Sequence, residues 1–195
     1  MKKAILFPCI ICLFISCKKN NAVPDPSLLE HYPQTWILTV DESPDRYVYL
    51  RTNGANMFRK LVDKSYSLTQ LAIDEDCEFE INQSRSETET GSKVCFTIRL
   101  DKDKTKWVSA HPSSNQQEMH LGTSNFSGNG DPGDNYKFFI HDMPKENGVR
   151  TVALESVYYP GYYISSSPPG FNYAQNQVTL QQATTPDKAT HWQCR

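Results

Sequence analysis

Aromatic and amide side chains are concentrated near the C-terminal end of the chain. They are Tyr158, Tyr159, Tyr162, Phe171 and Tyr173, with Asn172, Asn176 and Gln177 beside them. A flat aromatic face stacks on the apolar face of a sugar ring, and amides give its hydroxyls directional partners. The cluster therefore predicts a glycan site built from Tyr159, Tyr162, Asn172 and Tyr173. The alternative is that about half of these tyrosines only cover a hairpin.

Nothing in the sequence has the pattern of a catalytic centre. No G-x-S-x-G motif is present, and no Cys–His pair has an orienting neighbour. The acidic runs at 74–76 and at Glu78 and Glu80 are typical of a turn and a solvated strand edge, with no sign of a carboxyl kept protonated by burial. We therefore expect a protein that is not an enzyme and needs no cofactor.

Metal binding is not indicated either. The five histidines lack a helical i, i+4 pair, and the cysteine spacing fits no zinc motif. The loop 128–135 could hold Ca²⁺ through Asp131, Asp134 and Asn135, but it lacks the spaced acids and final Glu of an EF-hand. A long hairpin loop is the favoured interpretation of this segment.

Composition and charge narrow the class of protein. The chain has 195 residues, enough for one domain with a sizeable core, and a net charge of -2. Its Lys and Arg residues are scattered, which argues against nucleic acid as a partner. Twelve Pro, nine Gly and abundant Tyr, Phe, Thr and Ser favour strands and turns. We expect a monomeric, strand-rich domain.

The N-terminal residues have the features of an export signal. Lys2 and Lys3 precede the apolar run 4–15, which is too short to span a bilayer. The run ends in Ser16-Cys17, which resembles a bacterial lipobox, although Phe14 stands where leucine is commoner. This predicts a signal peptide over 1–17, lipid attached to Cys17 and a flexible tether over 18–30. A plain secretory signal with incidental cysteines is the alternative.

The likeness to a lipobox carries a prediction of localisation. It implies a protein of the bacterial cell envelope, in the outer membrane, that contacts the membrane through its lipid anchor only. Once the signal is removed and Cys17 carries lipid, Cys77, Cys95 and Cys194 remain. Their odd number leaves at least one thiol unpaired, and we expect all three to be free.

A pattern of apolar residues occurs three times along the chain. Each copy opens with apolar-x-apolar-x9-apolar, at Trp36, Leu38 and Val48, at Phe96, Ile98 and Val108, and at Val152, Leu154 and Ile164. An aromatic residue precedes the last position: Tyr47, Trp107 or Tyr163. Each copy closes with Phe79-x-Ile81, Phe138-x-Ile140 or Trp192-x-Cys194, after a predicted strand carrying Leu71, Leu121 or Leu180.

Three four-stranded units predict a closed fold. A propeller needs more blades, and a solenoid a shorter and more regular period. The remaining solution is an all-β fold, a β-trefoil over 31–195 with units at about 34–83, 93–143 and 150–195. Six strands would form its barrel and three hairpins would cap one end. The predicted core is Leu38, Val48, Leu71, Phe79, Ile98, Val108, Leu121, Phe138, Leu154, Ile164, Leu180 and Trp192.

Residues 152–167, with 178–180 and Trp192, resemble the third repeat of interleukin-1-like trefoils. The same stretch is similar to the repeats of arabinofuranosidase B-type carbohydrate-binding modules. Both likenesses imply a trefoil fold, and the second implies glycan binding. No ligand residue carries over, because Ser165-Ser166 stand where those modules have a His soon after the Tyr-Ile pair.

Two functions are compatible with this reading of the sequence. The first is a non-catalytic, envelope-anchored lipoprotein that binds a glycan. The alternative is a protein–protein interaction module for an envelope or host protein, with apolar loops such as 55–58 exposed. An aromatic-floored concavity would favour the glycan, and a contiguous exposed apolar patch would favour the protein partner.

Overall fold

The structure of the protein is a computed structural model that describes residues 33–53, 56–88, 91–112, 119–126, 130–166, 178–186 and 190–195. Within these ranges the elements are strands, one α-helix and one short 3₁₀ turn at Asp134–Tyr136. The strands are β1 Gln34–Ser43, β2 Arg46–Asn53, β3 Asn56–Asp63, β4 Glu78–Thr88, β5 Gly91–Leu100, β6 Lys106–Pro112, β7 Met119–Asn125, β8 Lys137–Glu146, β9 Val149–Ser156, β10 Tyr162–Ser165, β11 Thr179–Gln182 and β12 Trp192–Cys194. The helix is α1, Leu68–Asp74. The predicted all-β class is confirmed.

Six of the strands pair in a closed ring. Going round it, β1 pairs with β4, β4 with β5, β5 with β8, β8 with β9, β9 with β12, and β12 with β1 again, all antiparallel. The last pairing places Leu38 opposite Cys194 and joins the first strand to the last. A closed ring leaves none of these six strands as a free edge.

The other six strands form three hairpins, β2–β3, β6–β7 and β10–β11. The hairpins contact one another through single backbone pairings of β7, with Asn56 opposite Gly122 and His120 opposite Thr179. The third contact is a hydrogen bond of 3.1 Å from the Val178 amide to the Met57 carbonyl.

One apolar cluster fills the space between the ring and the hairpins. It contains every predicted core residue except Leu71. Trp192 is fully buried there, and its indole N–H donates to the Ile164 carbonyl at 2.9 Å. This bond satisfies the one polar atom of a side chain that the core otherwise desolvates.

The prediction for Leu71 was wrong, because this residue lies on helix α1 and not on a strand. The helix begins where the Ser67 hydroxyl accepts a bond from the Gln70 amide, as an N-cap residue does. Leu71 packs instead in a second cluster with Ile37, Tyr49 and Cys77. Cys77 therefore belongs to this second cluster and not to the main core.

Met57 lies on β3 and is fully buried in the main core. Met57 thus belongs to the main cluster, whereas Leu71, which was predicted to be there, does not. The prediction that 55–58 exposes apolar residues is also wrong for Met57, and Phe58 is half-buried. Ala55 lies outside the described residues.

The first hairpin has a different register from the one its spacing predicts. In the other two, Arg99 lies opposite Trp107 and Glu155 opposite Tyr163. An identical spacing would place Thr39 opposite Tyr47, but Thr39 faces Tyr49, and the register shifts between Asp41 and Ser43. Tyr49 thus takes the position of the other two aromatic residues.

Cys77, Cys95 and Cys194, the cysteines among the described residues, are free, as predicted. Cys77 and Cys95 are buried, and Cys194 is half-buried against the main core. Burial raises the thiol pKa to about 12 for Cys77 and Cys194 and to about 11 for Cys95. Thiols with such pKa values react slowly at neutral pH, so their role here is packing.

Two acidic side chains that were expected to be solvated are bound by pairs of cations. Glu75 lies 2.9 Å from Arg51 and 2.5 Å from Lys60. Glu80 accepts from Arg99 at 2.7 Å and from Lys104. Burial alone would raise the pKa of Glu80, but the bonds from these two cations outweigh it and lower the pKa to about 2. Because the pKa values of Glu75 and Glu80 are both lowered, both carboxyls are ionised at neutral pH and have no proton to donate as a general acid.

We predict that Glu80→Gln destabilises the protein at neutral pH by about 2–3 kcal/mol. The free carboxyl of the unfolded chain has a pKa of about 4.3, so the unfolded state takes up its proton first as the pH falls. The stabilisation from Glu80 is therefore complete above about pH 4 and disappears as the pH approaches about 2.

Urea unfolding of both proteins at a series of pH values measures this effect. The free-energy difference between them should shrink to nothing in acid, and Glu87→Gln, at an exposed position on the same strand, should show no such trend. A constant difference across the pH range would contradict the prediction.

Candidate functional site

The tyrosine turn, residues 156–162, connects β9 to β10. The Ser156 hydroxyl accepts a bond of 3.1 Å from the Tyr159 amide, and the Tyr162 amide donates to the Tyr159 carbonyl at 3.1 Å. Gly161 has a positive φ of 80°, which a residue with a Cβ adopts only at a cost. The Ser156-x-x-Tyr159-Pro160-Gly161 sequence therefore forms a turn with a defined backbone.

Glu155 fixes the far side of this turn. One carboxylate oxygen accepts a bond of 2.7 Å from the Gly161 amide, and the other lies 2.6 Å from His141 Nε2. The bond from His141, with that from Gly161, outweighs the effect of burial and lowers the pKa of Glu155. The carboxylate is therefore charged at neutral pH, and His141 is the donor.

Three tyrosine rings of the turn contact one another. Tyr158 and Tyr159 lie edge to face with centroids 4.7 Å apart, and Tyr159 and Tyr162 are 6.1 Å apart at 62°. Tyr159 and Tyr162 are half-buried and pack on the main core, whereas Tyr158 is 55% exposed. The two inner rings support an outer ring whose surface is open to a ligand.

Two of the four predicted ligand residues, Tyr159 and Tyr162, are thus brought together in the turn. Tyr173 and Asn172 lie outside the described residues, as do Phe171, Asn176 and Gln177. Cys17, the predicted signal peptide and the predicted tether also lie outside them.

Sequence reasoning missed Glu155 and His141. They are 14 positions apart, on neighbouring strands, and no motif links residues at that spacing. An indication was available for Glu155, because the alternation of Val152 and Leu154 as inward residues directs it to the outer face of β9. Only the pairing of β8 with β9 places His141 beside it.

A separate cavity lies beside α1. It has a volume of about 580 Å³ and is lined by Ile37, Leu68, Thr69, Ala72, Ile73, Glu78, Lys102 and Arg195. Its apolar lining is aliphatic, and Ile73 is 64% exposed at its edge. We call this cavity the α1 cleft. It lacks the aromatic floor expected of a sugar site.

The acidic loop considered for Ca²⁺ already holds a cation from the chain itself. The ammonium group of Lys137, which is almost fully buried, lies 2.8 Å from Asp131 and 3.2 Å from Asp134. The Ser86 hydroxyl also donates to Asp134 at 3.1 Å. Among the described residues, no group of three His, Cys, Asp or Glu side chains could hold a metal ion. In the same part of the chain no helix is long and apolar enough to cross a membrane.

Comparison with known proteins gives matches of structure only. No family model and no curated protein matches the sequence. A mosquitocidal holotoxin matches with a TM-score of 0.56 and 10% identity, over 84% of this chain and 17% of its own. An arabinofuranosidase complexed with arabinofuranosyl-α-1,2-xylobiose matches with a TM-score of 0.51 and 14% identity, over 83% of this chain and 30% of its own. A chicken IL-1 mutant has a TM-score of 0.46 and 17% identity.

The closed ring of six strands with three hairpins is a trefoil-like fold, and the holotoxin and the arabinofuranosidase share this chain's fold over 84% and 83% of its length. The chain spans less than a third of the length of either one. The likeness therefore applies to one part of each larger protein and shows the fold alone.

Proposed function

We propose that the chain is a non-catalytic, monomeric β-trefoil module that binds a glycan through the tyrosine turn. Pairings between equivalent positions support three units at about 34–83, 93–143 and 150–195. The opening residue of each unit lies opposite its closing aromatic residue: Trp36 with Phe79, Phe96 with Phe138 and Val152 with Trp192. Such equivalence is what a trefoil requires of its three units.

The observation that carries glycan binding is the exposed Tyr158 ring, which packs edge to face on the half-buried Tyr159 ring, itself in contact with Tyr162. A ring fixed before binding loses little conformational entropy when a sugar stacks on it. Tyr159 and Tyr162 are the support, and in the proposal Asn172 and Tyr173 supply further contacts. The match to an arabinofuranosidase crystallised with an arabinose-substituted xylobiose is compatible with a glycan as the ligand.

We predict that Tyr158→Ala weakens glycan binding about 5- to 10-fold, because it removes the stacking surface. Tyr158→Phe keeps the ring and should bind nearly as well as the unchanged protein. Affinity electrophoresis in gels containing arabinan, arabinose-substituted xylan and other polysaccharides measures the effect.

Tyr66→Ala is the matched control for this experiment. Tyr66 is also an exposed tyrosine, at 42%, but it lies between β3 and α1. Its removal should leave retardation in the gel unchanged. Absence of binding to every polysaccharide by the folded protein would show that the proposed function is wrong.

A second candidate function is supported by the α1 cleft. The apolar part of its lining is aliphatic. Three of the large apolar residues exposed in the described part of the chain, Leu61, Tyr66 and Ile73, lie between positions 61 and 73. Exposed aliphatic surface is typical of contacts with a protein. A partner that inserts an aliphatic side chain beside Ile73 would fit this surface.

We predict that a photo-crosslinking residue at position 73 forms a specific protein adduct in intact cells if this candidate is right. The same residue at position 87, exposed on β4, is the control and should form none. Equal crosslinking from the two positions would contradict a partner at the α1 cleft.

We further propose that the domain is held in the bacterial envelope, at the outer membrane, by lipid on Cys17. The apolar run before Ser16-Cys17 supports this anchor. Cells given labelled palmitate should incorporate it into the protein and into a Cys12→Ala variant, but not into Cys17→Ala. Labelling that survives Cys17→Ala would overturn the anchor without affecting the binding proposal.

A further inference from the structure

Glu155, on β9, connects the tyrosine turn to the neighbouring strand β8. Each of its two carboxylate oxygens makes one of these contacts. Its Oε1 accepts the Gly161 amide and its Oε2 accepts His141. Bonds to an ionised acceptor are roughly twice as strong as bonds between neutral groups. The turn therefore depends on a charge that lies on the strand before it.

The Gly161 end of the turn has few other restraints. Besides Glu155, the Gly161 carbonyl accepts the Ala183 amide at 2.9 Å, and the Tyr162 amide bonds to Tyr159 within the turn itself. Two amides of the turn donate to β9: that of Tyr159 to the Ser156 hydroxyl, at the start of the turn, and that of Gly161 to Glu155, at its end. Without an ionised acceptor at Glu155, the hydrogen bond from the Gly161 amide weakens. The backbone that orients the Tyr158, Tyr159 and Tyr162 rings is then less restrained.

The charged and titratable groups around Glu155 come from three elements. On β8, His141 donates to the carboxylate and Phe139 lies directly opposite Glu155. On β10, Tyr163 lies opposite Glu155, and its ring is 5.8 Å from that of His141. From β5, the positive charge of Lys93 acts on Glu155 and lies 6.0 Å from the Phe139 ring. No second carboxylate is among them.

We propose that Glu155 is the positioning residue of the tyrosine turn and that its protonation releases the turn, so that the glycan is bound at neutral pH and released in acid. This inference rests on the proposed glycan function. It adds that binding at this site is regulated by pH. It also adds that Glu155 acts by contacting the turn and does not need to contact the ligand.

The direction of the pH effect follows from the charge of Glu155. The lowered pKa keeps the carboxylate ionised down to below its ordinary range near pH 4. Binding should therefore be constant through neutral and mildly acidic pH and should fall only below about pH 4. The Gly161 amide and His141 both bond to oxygens of this carboxylate, so the change in acid is assigned to Glu155.

The test follows the backbone and the ligand separately. Hydrogen exchange measured by NMR gives the protection factor of the Gly161 amide, and gel retardation gives glycan affinity. Glu155→Gln is uncharged at every pH and keeps the size of the side chain. At neutral pH it should lower the protection of Gly161 about tenfold and weaken glycan binding several-fold.

The pH profiles then separate the two proposals. In the unchanged protein, both protection and affinity should fall below about pH 4, whereas in Glu155→Gln both should stay at their low values between about pH 7 and about pH 3. Asp142→Asn is the matched control, because Asp142 lies on β8, binds Arg150 on β9 and makes no bond to the turn. Circular dichroism verifies that each protein remains folded in acid.

Equal protection of Gly161 in the unchanged protein and in Glu155→Gln, at every pH, would overturn the inference and leave glycan binding standing. Loss of protection in Asp142→Asn as well would also overturn it, because the effect would then be general. If no polysaccharide binds at any pH while Gly161 loses protection as described, the proposed function is wrong and the structural role of Glu155 stands.

Discussion

The pairing of the first strand with the last is the constraint on which the rest of the structure depends. Backbone hydrogen bonds of 2.9 and 3.1 Å in both directions between Ile37 and Arg195 mark this seam, beside the pairing of Leu38 with Cys194. They close the ring of six strands, and the closed ring surrounds the apolar cluster. Trp192, on the closing strand, then ties the third hairpin to the core through Ile164. Contacts so distant in sequence are typical of folds that form slowly and cooperatively.

The three units share a core but differ on their outer surface. Tyr49, Trp107 and Tyr163 take equivalent places in their hairpins. Tyr49 is covered by α1 through Leu71, Trp107 by Arg99 at 5.6 Å and the edge of Phe126, and Tyr163 by His141. The inward positions must be alike because they fill one cavity, whereas each outward position has its own neighbour and can diverge. Specific chemistry is therefore found outside the repeated pattern.

Much of the fold was predictable because burial has a period of two along a strand. The alternation at Leu38, Ile98 and Leu154 identified inward residues, and all three are fully buried. The pattern failed at Leu71, because a short apolar run flanked by turn residues fits a helix as well as a strand. It also failed at Tyr47, because a bulge changes which residues face each other without changing the composition of the strand.

At the candidate site, the Tyr159-Pro160-Gly161 turn follows from the sequence alone, since local backbone preferences depend on residues adjacent in the chain. The residues that hold this turn in place become known only from the folded chain. His141 and Glu155 meet because β8 and β9 are neighbours in the ring. Lys137 binds Asp131 and Asp134 because the loop that carries them leads directly into the buried start of β8. Charge interactions depend on distance in space. The pKa of Glu155 is therefore lowered by residues that share no sequence motif with it, and the sequence does not show how close those residues lie.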